Sequence, residues 1–188
     1  MEQVKHGKVV ATGLLAAGLA TVLAVAAYPT KRQRIPRSQR ASVTQRIGYT
    51  DVTITYRRPV ARGRTLFGGV VSWDRVWTPG ADSATTFEVT RDVQIAGHTL
   101  AAGRYSLWMI PRSQGDWIVI VSRRAGIFHV PYPGERFDVL RFEVAPTTGE
   151  HMEALAFYFP VVERTTGVLR MHWGETVIPI EIETGDDP

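Results

Sequence analysis

The sequence predicts an all-β fold, an antiparallel β-sandwich or barrel-like domain, preceded by a single N-terminal transmembrane helix. Three observations lead there. Beyond residue 42, apolar side chains recur at every second position in short runs, the signature of half-buried strands. Turn-forming residues separate these runs about every 8–12 residues, the spacing of all-β domains. Residues 9–27, VVATGLLAAGLATVLAVAA, carry no charge and are long enough to cross a bilayer as a helix.

Residues 1–8, MEQVKHGK, form a mildly basic head. The apolar run behind it has two readings. Ala24-Val25-Ala26 resembles a signal-peptidase site, and a basic head before an apolar run fits a secretory signal. Signal cores are shorter, about 7–15 residues, so a retained single-span anchor is the expectation. Gly13, Ala16, Ala17, Ala20 and Ala24 recur at three- and four-residue spacings. Such small faces let helices approach closely in lipid, although alanine-rich signals give the same pattern.

Residues 28–42 read as a stiff linker, with Pro29 and Pro36 ending the helix. Lys31, Arg32, Arg34, Arg37 and Arg40 lie in it and suit contact with anionic lipid headgroups. Their charge exceeds that of the head, which argues for a cytoplasmic domain. The signal-like run argues for export. The expectation is the exported side, with the chain single-pass in the inner membrane and the β domain periplasmic.

The domain is assigned to residues 43–184, with 185–188 as a tail. Val52, Ile54 and Tyr56 alternate with Thr53 and Thr55 as a first strand. Residues 66–71 are a second candidate, with Gly68-Gly69 marking a bulge or a close backbone approach. Residues 85–90 follow. Residues 92–100 read as a hairpin turning at Ala96-Gly97. Strands over 103–110 and 117–122 are joined by a turn at 112–116. Runs over 137–145, 151–160, 168–173 and 176–183 complete the set. No stretch after residue 42 shows helical periodicity.

The net charge is +4, and lysine occurs only at Lys5, Lys8 and Lys31. Part of the positive charge sits in the linker, so nucleic acid is not expected as a partner. There is no cysteine, which excludes disulfides, a thiol nucleophile and a cysteine-bound zinc. The five histidines, His6, His98, His129, His151 and His172, form no ligand motif. No metal and no cofactor are expected. His98 follows a turn and is expected in solvent. His172 is expected on the strand face opposite Met171 and Trp173. No carboxylate pairing or GxSxG elbow supports a hydrolase, so catalytic residues are expected to be none.

The most individual stretch is 56–85, YRRPVARGRTLFGGVVSWDRVWTPGADSAT. Arg57, Arg58, Arg62 and Arg64 form its positive cluster. Arg62 and Arg64 share a side if the chain there is extended, and Gly63 leaves the backbone open to an anionic group. The opposing reading is solvated arginines, or ion pairs with Glu88, Asp92 or Glu143. Trp73 and Trp77 can form a platform or an interface, while three or more of the five tryptophans are expected in the core. Asp82 and Ser83 are expected to bond the backbone of their own turn. Phe128, His129 and Tyr132 lie in an irregular loop that is a candidate contact surface.

YRRPVARGRTLFG, VW-x-x-GADSAT, AGRYSLWMIP and DWIVIVS resemble the DUF2911 family, and MEALAFYF and LRMHWGETVIPIEI resemble its closing strands. The resemblance spans most of residues 49–183. It implies an exported β-rich domain and carries no established activity, cofactor or catalytic residue. The family pattern has an arginine after the second tryptophan and a GANEAT-like turn. Here Trp77 is followed by Thr78-Pro79, and the turn is Gly80-Ala81-Asp82-Ser83-Ala84-Thr85. If those polar groups hold a ligand in the family, this chain has lost or changed that use.

The functional expectation is a non-catalytic, anchored protein serving as an accessory or stabilising subunit of a larger membrane complex. Respiratory, secretion and photosynthetic reaction-centre assemblies are candidate hosts, with integral membrane subunits and lipids as partners. The alternative is an envelope module binding a sugar or an acidic small molecule, and the third reading is a hydrolase. Concave tryptophans would favour the module, and tryptophans wholly in the core would count against it.

Overall fold

Strand burial follows the predicted alternation. In Thr50–Arg58 the inward positions Thr50, Val52, Ile54 and Tyr56 are buried while their neighbours are partly exposed. The structure is a computed structural model that describes residues 35–186. The expected transmembrane run, 9–27, with Gly13, Ala16, Ala17, Ala20 and Ala24, lies outside the described residues. Among the described residues no helix is long and apolar enough to cross a membrane.

Among the described residues, ten strands form two antiparallel sheets. In chain order they are β1 (Gln39–Ile47), β2 (Thr50–Arg58), β3 (Thr86–Val89), β4 (Val93–Ile95), β5 (His98–Leu100), β6 (Gly103–Ile110), β7 (Trp117–Ser122), β8 (Asp138–Val144), β9 (Thr147–Val162) and β10 (Thr166–Thr184). One sheet has the order β1-β2-β3-β6-β7-β8 and the other β5-β4-β10-β9. A single apolar cluster, with Ile54, Phe87, Leu107, Val119, Leu155, Met171 and Ile180 all at 4% exposure or less, draws on both sheets. The all-β sandwich read from the sequence is therefore present.

Several elements differ from the sequence reading. β1 begins at Gln39, inside the stretch assigned as linker, because Gln39 and Arg40 pair with Arg58 and Arg57 of β2. The runs 168–173 and 176–183 are one strand, β10, with pairing irregularities on either side of Gly174. Gly174 has φ +61°, and a Cβ there would lie 2.8 Å from Leu66 Cδ1, so a bulge replaces the predicted break. Residues 66–71 are not a strand. They curl so that Val70 N–H reaches Thr65 O at 3.0 Å and Val71 N–H reaches Leu66 O at 2.8 Å.

That curl has a physical cause. It drives Phe67 among Trp73, Trp77, Trp117 and Trp173, with ring centroids 4.7–6.1 Å away. Edge-to-face contacts of this kind add to plain apolar burial. Gly68, at φ +83°, lies against the Trp73 indole, where any Cβ would collide.

Two features close the sandwich and place the site. Beyond β2, the chain bonds to the edge of β9: Ala61 N–H donates to Glu153 O (2.7 Å) and Leu155 N–H to Pro59 O (3.0 Å). The loop 123–134 folds back over the outer face of the six-stranded sheet. Its Ile127 and Tyr132 cover Trp108 and Ile120 in a second, smaller apolar cluster, and the Tyr132 ring meets Trp108 edge-on at 5.3 Å.

Candidate functional site: a cationic cleft

The turn after β2 brings its arginines to a concavity. The chain around Arg62 is not extended. Arg62 and Gly63 have φ of +54° and +66°, and Arg64 N–H bonds Ala61 O at 3.2 Å. Both Arg62 and Arg64 nevertheless line one cleft of about 350 Å³, joined by Arg37, His129, Trp77 and Trp173. Pro59, Val60, Val70, Val71 and Ala81 supply apolar wall. Among the described residues no aspartate or glutamate lines it. The volume sits at the small end of the range for small-molecule sites, roughly 300–1,000 Å³.

Arg62 and Arg64 are each held by a different kind of contact. Glu153 Oε1 accepts the Arg62 N–H at 2.7 Å, while His151 Nε2 meets Glu153 Oε2 at 3.0 Å. These two contacts, the histidine's first, hold the Glu153 carboxyl below its ordinary pKa. Arg64 donates through Nε to Ala61 O (2.9 Å) and through a terminal nitrogen to Val60 O (2.7 Å). That posture fixes its guanidinium at the cleft without neutralising it. Among the described residues neither Arg37 nor Arg62 is in an ion pair.

His129 comes from the covering loop. Its N–H donates to Asp82 O at 3.1 Å and its Nδ1 lies 2.8 Å from the same oxygen. A carbonyl only accepts, so Nδ1 carries a proton and Nε2 is left for the cleft. The 80–84 turn that presents Asp82 O is held by threonines. Thr78 Oγ1 donates to Leu107 O (2.8 Å) and accepts from Thr85 N–H (3.0 Å), while Thr85 Oγ1 donates to Pro79 O (2.7 Å). The Thr78-Pro79 sequence that departs from the family pattern is thus part of the scaffold of this turn. Asp82 itself is exposed and contributes its carbonyl, not the side-chain turn bond expected of it.

The predicted residues do not all converge. Arg57 diverges to a neighbouring cleft of about 190 Å³ with Arg40 and Arg104. Arg58 faces β9 and donates to Leu155 O at 3.0 Å. The proposed ion pairs with this cluster are absent among the described residues: Glu88 meets Arg104, Glu143 meets Arg112, and Asp92 accepts from Ala102 N–H. Trp73 is part of the aromatic cluster about Phe67. Phe128 is exposed at 61% beside His129, with ring centroids 4.3 Å apart.

Tyr132 is occupied structurally. Its hydroxyl donates to the Asp138 carboxylate, and Arg141 bonds both groups, at 2.6 Å to Asp138 and 3.1 Å to Tyr132. Burial and the Asp138 bond push the Tyr132 hydroxyl up to about 12. Burial works against the Arg141 charge, yet its bonds to Asp138 and Tyr132 outweigh this and strengthen its hold on the proton.

Sequence reasoning missed Arg37 and Trp173 as wall residues. His172 does lie opposite Met171 and Trp173 but is 5% exposed, bonded through Nδ1 to Tyr158 (3.1 Å) and beside Gly149, where a Cβ would lie 3.1 Å from its Cε1. Trp108, Trp117 and Trp173 are buried and Trp73 and Trp77 are half-buried. Among the described residues, no group of three or more histidines or carboxylates is placed to hold a metal ion.

Fold and site together define a β-sandwich domain with an acid-free, arginine-lined cleft beside an aromatic cluster. The chain belongs to the family described as "Protein of unknown function (DUF2911)", which matches residues 38–182. No curated protein and no solved structure matches it.

Proposed function

We propose that the domain is a non-catalytic binding module for a small acidic molecule, tethered to the exported face of the inner membrane through the apolar run 9–27. One observation carries the reading: three arginines and a histidine line a cleft to which no described residue adds a carboxylate. A predominantly cationic concavity with apolar walls favours an anion over a neutral ligand. Trp77 and Trp173, stacked 6.2 Å apart and inclined by 18°, supply a rigid wall rather than an open sugar platform. Calorimetric titration with benzoate, citrate and glucuronate, and with glucose as the neutral control, tests this. Binding of an anion should weaken as salt rises and fall further in Arg37→Ala and Arg62→Ala. Equal binding of glucose, or no anion binding, would refute it.

A second reading, an accessory subunit docked on membrane proteins, is favoured by Phe128 and Val130, exposed at 61% and 57% beside the cleft. Intact-complex mass spectrometry after mild detergent extraction tests it. A stoichiometric partner that dissociates in Phe128→Ser is expected, and a free chain would dismiss it.

A further inference from the structure

We infer that the indole N–H of Trp173 is a hydrogen-bond donor to the bound ligand, so that the cleft takes an oxyanion carrying an apolar flank. This rests on the binding-module reading and narrows it. Trp108, Trp117 and Trp173 are the buried tryptophans. Two of them have acceptors: Trp108 Nε1 donates to Ser106 Oγ at 2.8 Å and Trp117 Nε1 to Arg112 O at 3.1 Å. Trp173 Nε1 is buried with no partner among the described residues, although a buried indole N–H ordinarily finds one.

Trp173 is 1% exposed and lines the cleft. The arginines of that cleft cannot satisfy it. Guanidinium groups donate only, and Arg37, Arg62 and Arg64 are the charged side chains of that wall. The charged side chains of the cleft are therefore all donors, with His129 Nε2 and the Ser38 hydroxyl as neutral acceptors on its wall. A carboxylate or phosphate supplies several acceptor atoms at once and brings the charge the arginines lack. The apolar flank follows from Pro59, Val60, Val70 and Val71 on the remaining wall. Such an oxyanion can be a free small acid or the headgroup of an anionic lipid.

The test is nuclear magnetic resonance of the full-length chain labelled with ¹⁵N at its indoles. Five tryptophans give five indole N–H signals, assigned by single Trp→Phe substitutions. The probes are benzoate, neutral benzamide and phosphatidylglycerol vesicles, with binding measured by calorimetry on the same samples. The Trp173 proton signal should move downfield with benzoate if the source is a free acid. It should move with vesicles alone if the source is a headgroup. Benzamide should leave it in place. Trp173→Phe should weaken oxyanion binding about 10- to 100-fold, the usual loss of a hydrogen bond to a charged group. Because Trp173 also packs in the core, the resonance carries the test and the variant supports it. Calorimetric binding that Arg62→Ala weakens, with the Trp173 signal unmoved, would overturn the donor assignment alone. Absence of binding by every oxyanion would overturn the module reading and this inference with it.

Discussion

Replacing Tyr132 by phenylalanine should loosen the loop that carries His129 while leaving the apolar packing intact. The ring contact with Trp108 at 5.3 Å survives the change. What disappears is the hydroxyl that links Asp138 and Arg141. The Asp138 side chain is only 8% exposed, but it keeps its 2.6 Å bond to Arg141, so the carboxylate is not orphaned. The expected cost is about 1–2 kcal/mol, that of a hydrogen bond to a charged group with a partner retained. The Tyr132 hydroxyl is raised from 10.0 to about 12, so the folded state holds this proton more tightly than the unfolded one. Its stabilisation is complete below pH 10 and is lost as pH rises toward 12. The upper bound is about 2.7 kcal/mol, and solvent screening at this partly exposed site leaves about 1–1.5 kcal/mol. Urea unfolding of both proteins from pH 7 to 11.5 checks this, since every other titrating group cancels in the difference. The wild type should be more stable at pH 7, and its advantage should shrink above pH 10. Equal stability at pH 7, or a gap that widens in alkali, would refute the assignment.

Three further outcomes follow from the same contacts. Phe67→Ala should destabilise the domain by about 2–4 kcal/mol, below the range for a fully buried phenylalanine because Phe67 is only half-buried; chemical denaturation measures it, and a loss under 1 kcal/mol would contradict the central place of this ring. Gly68→Ala should cost about 1–3 kcal/mol, because a Cβ would meet the Trp73 indole at a positive φ; unchanged unfolding would show that the indole swings away freely. Glu153, whose carboxyl is held below its ordinary pKa, should release the Arg62 N–H as pH falls through its folded-state value, the interaction being complete above the unfolded one. Amide exchange at Arg62, corrected for intrinsic rates, should then accelerate in acid and be fast at neutral pH in Glu153→Ala, which has no acceptor; a slow amide in that variant would sink the account.

The sheets were legible because strand alternation is a local property. Val52, Ile54 and Tyr56 declared an inward face by spacing alone, and the Ala96-Gly97 turn declared its hairpin, with φ of +48° and +77° at the two positions. The stretch 66–71 misled for an equally local reason. Its apolar run fits a strand, but the residue that decides its shape is Phe67, and what Phe67 seeks are tryptophans at 73, 77, 117 and 173. Alternation carries no information about such distant partners. The cleft suffers from the same limit. Arg62 and Arg64 stood out as a pair, but Arg37, His129 and Trp173 come from β1's approach, the covering loop and β10. Their meeting depends on Pro59–Ala61 joining the β9 edge and on Asp82 O capturing His129. Tyr132 was legible as an aromatic in a loop, yet its occupation by Asp138 and Arg141 required the return of β8 beneath it.

The stretch between β2 and β3 therefore has two tasks that share residues. Phe67, Trp73 and Trp77 close the core, while Arg62, Arg64 and Trp77 face the cleft, and Trp173 takes part in both arrangements. The three arginines lie close enough to line one concavity with no carboxylate among them, an arrangement whose mutual repulsion works against the fold. A bound anion, on the proposed reading, would relieve that repulsion and also engage the wall that closes the core. Its binding energy is then added to folding stability, by about 2.7 kcal/mol when the ligand is at a hundred times its dissociation constant. The unfilled domain should be held most weakly at this end, where Arg62 and Gly63 sit at positive φ and the wall is tied to β9 through Ala61 and Leu155. Ligand protection from amide exchange should accordingly concentrate in residues 59–84 and in the His129 loop. Protection spread evenly over both sheets would mean that the ligand stabilises the sandwich as a whole and that this stretch is not its point of purchase.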